Sequence, residues 1–239
     1  MNRVNGWFSS LALVFVCGPR LDAATPRLGG PMKHILVSQV GNQLVVGLEG
    51  DPLERLTMRR YDEMYDPPAD VLNGKYYNGQ YGWLANGFFN LPPGSAVWVR
   101  REAHSPALEA YEALTFLPIF GTDGSSEIWQ WSGVMVHNWY AAVACGDYQA
   151  SYTVYVGDAA GTPLSGWGAA SVMLYWRAGE PLPGDLDHSG TVDLADLSTL
   201  LSSFGSSGVL PEDGDLDGDG AVTLADLSVL LENFGASCE

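Results

Sequence analysis

The sequence is poor in basic residues. It has 11 Lys and Arg against 28 Asp and Glu, which gives a formal net charge of −17 at pH 7. Nucleic-acid binding depends on Lys and Arg that neutralise phosphates, so this composition argues against a nucleic-acid partner. The deficit is largest at one end, because residues 184–239 hold twelve Asp or Glu and no Lys or Arg.

Long apolar runs are also missing, and we predict no membrane span. The run Trp7–Cys17 is too short for one, but it has the length of a signal-peptide core. It follows Arg3, and the small residues Ala23 and Ala24 come after it. We therefore assign residues 1–24 as a signal peptide and predict an exported protein that is secreted, periplasmic or on the cell surface.

Cysteine is scarce, with three in the chain. Cys17 falls in the predicted signal peptide, so the exported protein keeps Cys145 and Cys238. An oxidising compartment would allow them to pair. Two cysteines so far apart in sequence do not decide the matter, and the pairing stays open here.

Signature motifs of hydrolases are absent from the sequence. It has no HExxH metalloprotease motif and no nucleophile-elbow serine. Carboxylates are plentiful before residue 178, but spacing in sequence cannot pair two of them across a cleft as a glycosidase requires. We therefore expect a non-catalytic protein. One alternative is kept: an enzyme that hydrolyses O-glycosyl bonds, or a carbohydrate-binding component of a polysaccharide-degrading assembly.

The acidic end contains a duplicated motif, with copies GDLDHSGTVDLADL from Gly184 and GDLDGDGAVTLADL from Gly214. Counted from the first Asp of each copy, oxygen ligands are expected at positions 1, 3, 5, 7, 9 and 12, with Gly at position 6 for a sharp turn. This is the spacing of a calcium loop, so we predict two Ca²⁺ ions. The predicted ligands are Asp185, Asp187, Ser189, Thr191, Asp193 and Asp196 in loop one, and Asp215, Asp217, Asp219, Ala221, Thr223 and Asp226 in loop two.

A helix is predicted after each loop. Leucines and a phenylalanine recur at helical spacing from Leu194 to Phe204, and the second copy repeats them from Leu224 to Phe234. Gly205 and Gly235 are stop signals. Each unit is then a loop plus one helix, and we expect the two apolar faces to bury against each other.

This duplicated loop-and-helix pattern resembles the type I dockerin domain. The resemblance runs from Gly184 to about Gly235 and includes Asp at position 12 and the downstream leucines. It implies a small all-α calcium-binding module over residues 184–239 that docks onto a cohesin-like domain or another cell-surface component. Positions 10 and 11, which carry much of the family's recognition, are Leu-Ala in both copies instead of the commoner pairs with hydroxyl residues, so the choice of partner stays open.

Residues 25–178 carry strand signals instead. Short alternating or apolar segments (HILVS, QLVVG, SAVWVR, EIWQW, YQASYTV and ASVMLYW) are separated by turn residues. They predict a mainly-β fold whose main domain is a β-sandwich. The stretch PALEAYEAL looks briefly helical. Pro181 and Pro183 mark residues 179–183 as a linker to the acidic module.

Four side chains of this domain are candidate ligand contacts. Trp83 and Trp167 lie in Gly-rich segments and could stack on a carbohydrate, whereas Trp98 and Trp176 sit on alternating strands and are expected in the core. His34 and His137 are candidate zinc ligands.

The order of these features is similar to that in exported bacterial proteins that end in a PEP-CTERM sorting tag. A histidine stands before a strand, followed by an NGF segment and then by HNWY and the hairpin GDYQASYTVYVGDAAGTPL. The resemblance implies a zinc-binding exported protein as a second alternative.

Overall fold

The fold is described from a computed structural model of the chain. It describes residues 24–61 and 63–238, so the predicted signal peptide lies outside the described residues except for Ala24. The protein is mainly β, with twelve strands and two α-helices in the described part, which confirms the predicted fold class at that level. Neither helix of the described part is long and apolar enough to cross a membrane.

The elements are numbered in chain order. The strands are β1 (Lys33–Val40), β2 (Gln43–Leu48), β3 (Arg55–Met58), β4 (Tyr76–Asn78), β5 (Tyr81–Ala85), β6 (Ala96–His104), β7 (Glu109–Tyr111), β8 (Ile128–Trp131), β9 (Val136–His137), β10 (Trp139–Ala142), β11 (Gly146–Gly157) and β12 (Ala170–Ala178). The helices are α1 (Leu194–Ser202) and α2 (Leu224–Glu232).

Each of the six strand segments read from the sequence falls on a strand, namely β1, β2, β6, β8, β11 or β12. The helical expectation for PALEAYEAL is wrong, because its centre forms β7. Ala110 and Tyr111 of that strand are buried and pair with β10. Sheet pairing and burial therefore override a local helix preference.

The strands form three sheets. Their orders are β2-β1-β5-β9, β4-β10-β7 and β3-β12-β11-β6-β8. Two pairings are parallel, β1 with β5 and β3 with β12, and the other pairings between strands are antiparallel. The small third sheet and the parallel pairs are features that alternation in the sequence does not reveal.

The four- and five-stranded sheets contribute to one apolar core. Strand β11 shows why, since Tyr148, Ala150, Tyr152 and Val154 alternate along it and all are buried. Trp83 from β5 meets Tyr152 edge-on at a ring-centroid distance of 6.0 Å, which joins the two sheets. Aromatic pairs of this geometry add to the stabilisation from buried apolar area.

The C-terminal part has a separate small core. It consists of five buried residues, Leu186, Val192, Leu200, Val222 and Leu230. Each loop supplies a valine at position 8, and each helix supplies one fully buried leucine. Gly205 and Gly235 follow the helices with positive φ angles of 80° and 83°, as expected for helix stop signals.

Candidate functional site

Each acidic loop brings three of its four predicted carboxylate ligands together. In loop one, oxygens of Asp185, Asp187 and Asp196 all lie within 4.8 Å of one another, and in loop two those of Asp215, Asp217 and Asp219 do the same. Carboxylates so close together repel one another unless a cation lies between them. A hard divalent cation that takes six to eight oxygens suits this donor set.

The position-12 aspartates close each loop from the first turn of the helix. Asp196 is fully buried, and its Oδ1 accepts hydrogen bonds from the amides of Leu186 and Asp187 at 2.7 and 3.1 Å. Asp226 does the same toward Leu216 and Asp217, at 2.8 and 3.2 Å. Each carboxylate therefore binds the start of its loop to the start of its helix.

The position-9 residues act as helix N-caps. Asp193 accepts a hydrogen bond from the Ala195 amide at 2.7 Å, and Thr223 accepts one from the Ala225 amide at 3.1 Å. A capping side chain satisfies an amide that the first turn of a helix leaves free. Helix capping is thus a role of Asp193 and Thr223 that the ligand spacing did not show.

Burial and backbone amides act in opposite directions on these carboxyls. Burial raises the pKa of Asp185 even though the amides of Gly190 and Ser189 oppose it. Burial also acts to raise the pKa of Asp226, but backbone hydrogen bonds outweigh it and hold that pKa below its ordinary value. The ionised form is therefore disfavoured at Asp185 and favoured at Asp226.

The loops differ in the segment that pairs with them. The C-terminal tail borders loop one, where the Val192 amide donates to Ala236 O at 2.9 Å and the Cys238 amide donates to Gly190 O at 3.0 Å. The tail is joined to the β-domain by a disulfide between Cys145 and Cys238, with Cα atoms 6.1 Å apart. The pairing that the sequence left open is therefore made, next to the first acidic loop.

Loop two pairs with an equivalent segment that has no disulfide to the β-domain. The Val222 amide donates to Ser206 O at 3.0 Å, and the Gly208 amide donates to Gly220 O at 2.7 Å. Residues 205–208, which follow α1, thus occupy the place that the tail occupies beside loop one. The structural repeat extends from the loops to their partners, but only one of the partners is bonded to the β-domain.

Each helix leaves part of its apolar face exposed, which corrects the expectation that the faces bury against each other. Leu200 and Leu230 are fully buried at equivalent positions. Two leucines of each helix and the phenylalanine just after it remain exposed at nearly equal fractions: Leu194 72%, Leu201 53% and Phe204 43% in one unit, and Leu224 69%, Leu231 53% and Phe234 43% in the other. We call these two sets the apolar stripes. Two small helices have too little area to cover both their inner and outer leucines.

The tryptophan candidates fall in different environments. Trp83 lies within β5 and is 0% exposed, packed against Trp131 and Tyr152, so the interpretation of it as an exposed sugar-stacking ring is wrong. Its neighbouring glycine fits a close contact between strands, not a loop. Trp167 is half-buried and packs against the main core, and its role in ligand contact stays a prediction.

The histidine candidates lie side by side. The His34 and His137 rings have centroids 5.8 Å apart and cross at 69°. Burial lowers the pKa of His137 and the neighbouring His34 lowers it further, although a hydrogen bond to Gly79 opposes both effects. Residues 103 positions apart in sequence thus meet on one sheet, which their order along the chain could not establish.

No protein-family model and no curated protein matches the chain. Among solved structures, it is similar to a type II cohesin–dockerin domain from Bacteroides cellolosolvens, with 34% identity, 24% of this chain and 92% of that chain covered, and a TM-score of 0.22. A C-terminal interface mutant of a type II cohesin–X–dockerin complex from Acetivibrio cellulolyticus matches with 14% identity, 76% and 95% coverage, and a TM-score of 0.20. At these TM-scores neither match establishes the fold or the family of this chain.

Proposed function

We propose that the protein is an exported, non-catalytic β-domain carried by a calcium-binding dockerin-like module of the type I pattern, and that the module docks onto a cohesin-like domain. The observation that carries this proposal is the pair of apolar stripes. Large exposed apolar patches mark interaction surfaces more often than isolated exposed leucines do. Here three large apolar side chains are exposed in each loop-helix unit, and their exposed fractions differ by at most 3 percentage points between the two units.

Calcium has a structural part in this proposal. The stripes start at Leu194 and Leu224, directly after the position-9 caps, so the loops set where each helix begins. A cation that draws Asp196 and Asp226 toward their loops would hold both helices in place. Docking is therefore expected to require calcium.

The test uses the whole chain and purified cohesin domains, type I and type II as separate arms, measured by calorimetry with calcium and with chelator. Binding is expected in one arm, with calcium only. Because the stripes match, both must be altered at once: Leu201→Ser with Leu231→Ser should weaken binding at least about tenfold. Leu114→Ser is the matched control, since Leu114 is an exposed leucine of the β-domain. Failure of both arms to bind in calcium, or binding that survives chelation, contradicts the proposal.

A further inference from the structure

Three neighbouring strands place two histidines on either side of a glycine. His34 of β1 lies opposite Gly82 of β5, and Gly82 lies opposite His137 of β9. Facing residues of adjacent strands project from the same side of a sheet. The two imidazoles therefore share one face, and the residue between them has no side chain.

The glycine makes the approach of the two rings feasible. A Cβ at position 82 would lie 2.5 Å from both Cε1 and Nε2 of His137, so the ring of His137 lies over Gly82. From there it reaches toward His34, to the ring-centroid distance of 5.8 Å. Any other residue at position 82 would displace the ring.

Each ring is oriented through its Nδ1 atom. His34 Nδ1 lies 2.8 Å from Glu49 Oε2, and His137 Nδ1 lies 3.0 Å from Gly79 O. A carboxylate and a carbonyl only accept hydrogen bonds, so both Nδ1 atoms carry the proton. In the neutral rings, both Nε2 atoms then present a lone pair.

Both Nε2 atoms are buried and have no hydrogen-bond partner within the described residues. Buried polar atoms without a partner are rare in folded proteins, and each calls for an explanation. Two of them with the same chemistry on neighbouring rings point to one shared partner. That partner must accept two lone pairs at once.

We propose that His34 and His137 form a site for one divalent transition-metal ion of the zinc type, with both Nε2 atoms as ligands. Such ions bind neutral imidazole. With Zn–N bonds of about 2.0–2.1 Å, two imidazoles on one ion have ring centroids up to about 6.5 Å apart, and the observed separation lies within that limit. Glu49 and Gly79 supply the outer hydrogen bonds that orient metal-binding histidines.

The site would keep open coordination positions. Zinc takes four ligands in most protein sites, so two imidazoles leave two positions for water or for a ligand from outside the chain. This proposal does not depend on the calcium loops or on docking, because all its residues belong to the four-stranded sheet and its flanking loops.

The test is calorimetry of the whole chain with zinc chloride, in saturating calcium so that the acidic loops are filled. One zinc ion per chain is expected. His34→Ala and His137→Ala should each weaken zinc binding at least tenfold, and Gly82→Ala should do so with both ligands intact. His104→Ala is the matched control and should leave binding unchanged, since His104 lies on β6 next to Arg101.

A second measurement covers the case in which a variant fails to fold. The absorption spectrum of the cobalt-substituted wild-type protein should show nitrogen ligation, and His34→Gln should remove that signal while the far-ultraviolet circular dichroism stays unchanged. Two results would overturn the proposal. One is no zinc binding by the wild type at concentrations on the order of a millimolar, as expected if a proton bridges the two rings. The other is undiminished binding by the protein carrying both His34→Ala and His137→Ala.

Discussion

The two acidic loops have nearly the same sequence and different surroundings. The glycine at position 6 shows this most clearly. A Cβ on Gly190 of loop one would lie 2.8 Å from Cys238 Sγ and 3.0 Å from Cys145 Sγ, whereas a Cβ on Gly220 of loop two would meet nothing within 4 Å among the described residues. One loop is thus packed onto the β-domain through a disulfide, and the other is open.

The difference separates what the repeat determines from what the rest of the chain adds. Inside the module the two halves match closely: Gly184 packs against Leu230, and Gly214 packs against Leu200 in the same way. An asymmetry enters where Cys145 and Gly146 meet loop one. We infer that loop one orients the module on the β-domain while loop two is free to respond to calcium.

Calcium removal should have the largest effect. Binding at one hundred times Kd stabilises a protein by about 2.7 kcal/mol per site. Chelation empties both loops around their shared core, so it should speed amide hydrogen exchange in α1 and α2 by up to roughly ten-thousandfold. Strands β11 and β12 should keep their protection because their core is separate from that of the module. Equal exchange of the helices with and without chelator would show that calcium does not hold them.

Removal of the disulfide should come next. Cys145→Ala with Cys238→Ala should lower the free energy of unfolding of the module by about 2–4 kcal/mol, and it should weaken calcium binding by loop one only. Ser237→Ala is the control, an exposed neighbour in the same tail. Denaturant unfolding followed by circular dichroism, with calorimetry for each loop, gives both quantities. Equal losses of affinity in the two loops would remove the proposed asymmetry.

Glycine replacement at position 6 compares the two environments directly. Gly190 and Gly220 both have positive φ, 87° and 86°, so alanine costs each loop about 1–2 kcal/mol of backbone strain. Only Gly190→Ala also collides with the sulfurs, and overpacking adds about 1–3 kcal/mol. Denaturant unfolding in calcium should therefore show the larger loss for Gly190→Ala. Equal losses of unfolding free energy in the two variants would mean that the disulfide moves aside for the added methyl group without destabilising the module.

Local patterns in the sequence predicted the two helices and the burial of Leu200 and Leu230, because both depend on neighbours close along the chain. The structure gathers three carboxylates in each loop, and the six-ligand calcium set stays a prediction. The exposed stripes were not predicted. Periodicity identifies an apolar face, but the area available to cover that face depends on how two short helices cross.

Contacts between segments that are distant in the chain could not be predicted from the sequence. Gly82 lies between His34 and His137 only because β1 and β5 pair in parallel and β9 joins the far side of β5, and no local pattern encodes that register. Trp83 was misread for the same reason. Glycines on both sides of a tryptophan suggest a loop, but here they belong to a tightly packed strand and its end.

The smallest effect is the difference in calcium affinity between the intact loops. Loop two has Asp219 at position 5, where loop one has Ser189, a neutral oxygen, and affinity rises with ligand charge. Loop one has Asp193 at position 9, where loop two has Thr223, but that position often acts through a water and Asp193 also caps α1, so it compensates only in part. Arg177 donates a hydrogen bond to Asp147 at 2.7 Å and also interacts electrostatically with Asp185. Its positive charge disfavours a cation in loop one. Against this, the disulfide holds loop one in shape, which lowers the ordering cost of binding.

We expect the effect of ligand charge to exceed that of preorganisation, so that loop two binds calcium more tightly by roughly tenfold, or about 1.4 kcal/mol. Calorimetry on Asp196→Ala and on Asp226→Ala isolates each loop in turn. Ser189→Asp should reduce the difference in calcium affinity between the loops, and Asp219→Ser should make loop one the tighter of the two. Loss of the disulfide should increase the difference, because loop one then keeps its weaker ligand set without its preorganised shape. If the isolated first loop binds as tightly as the second, preorganisation outweighs the absence of a carboxylate at position 5.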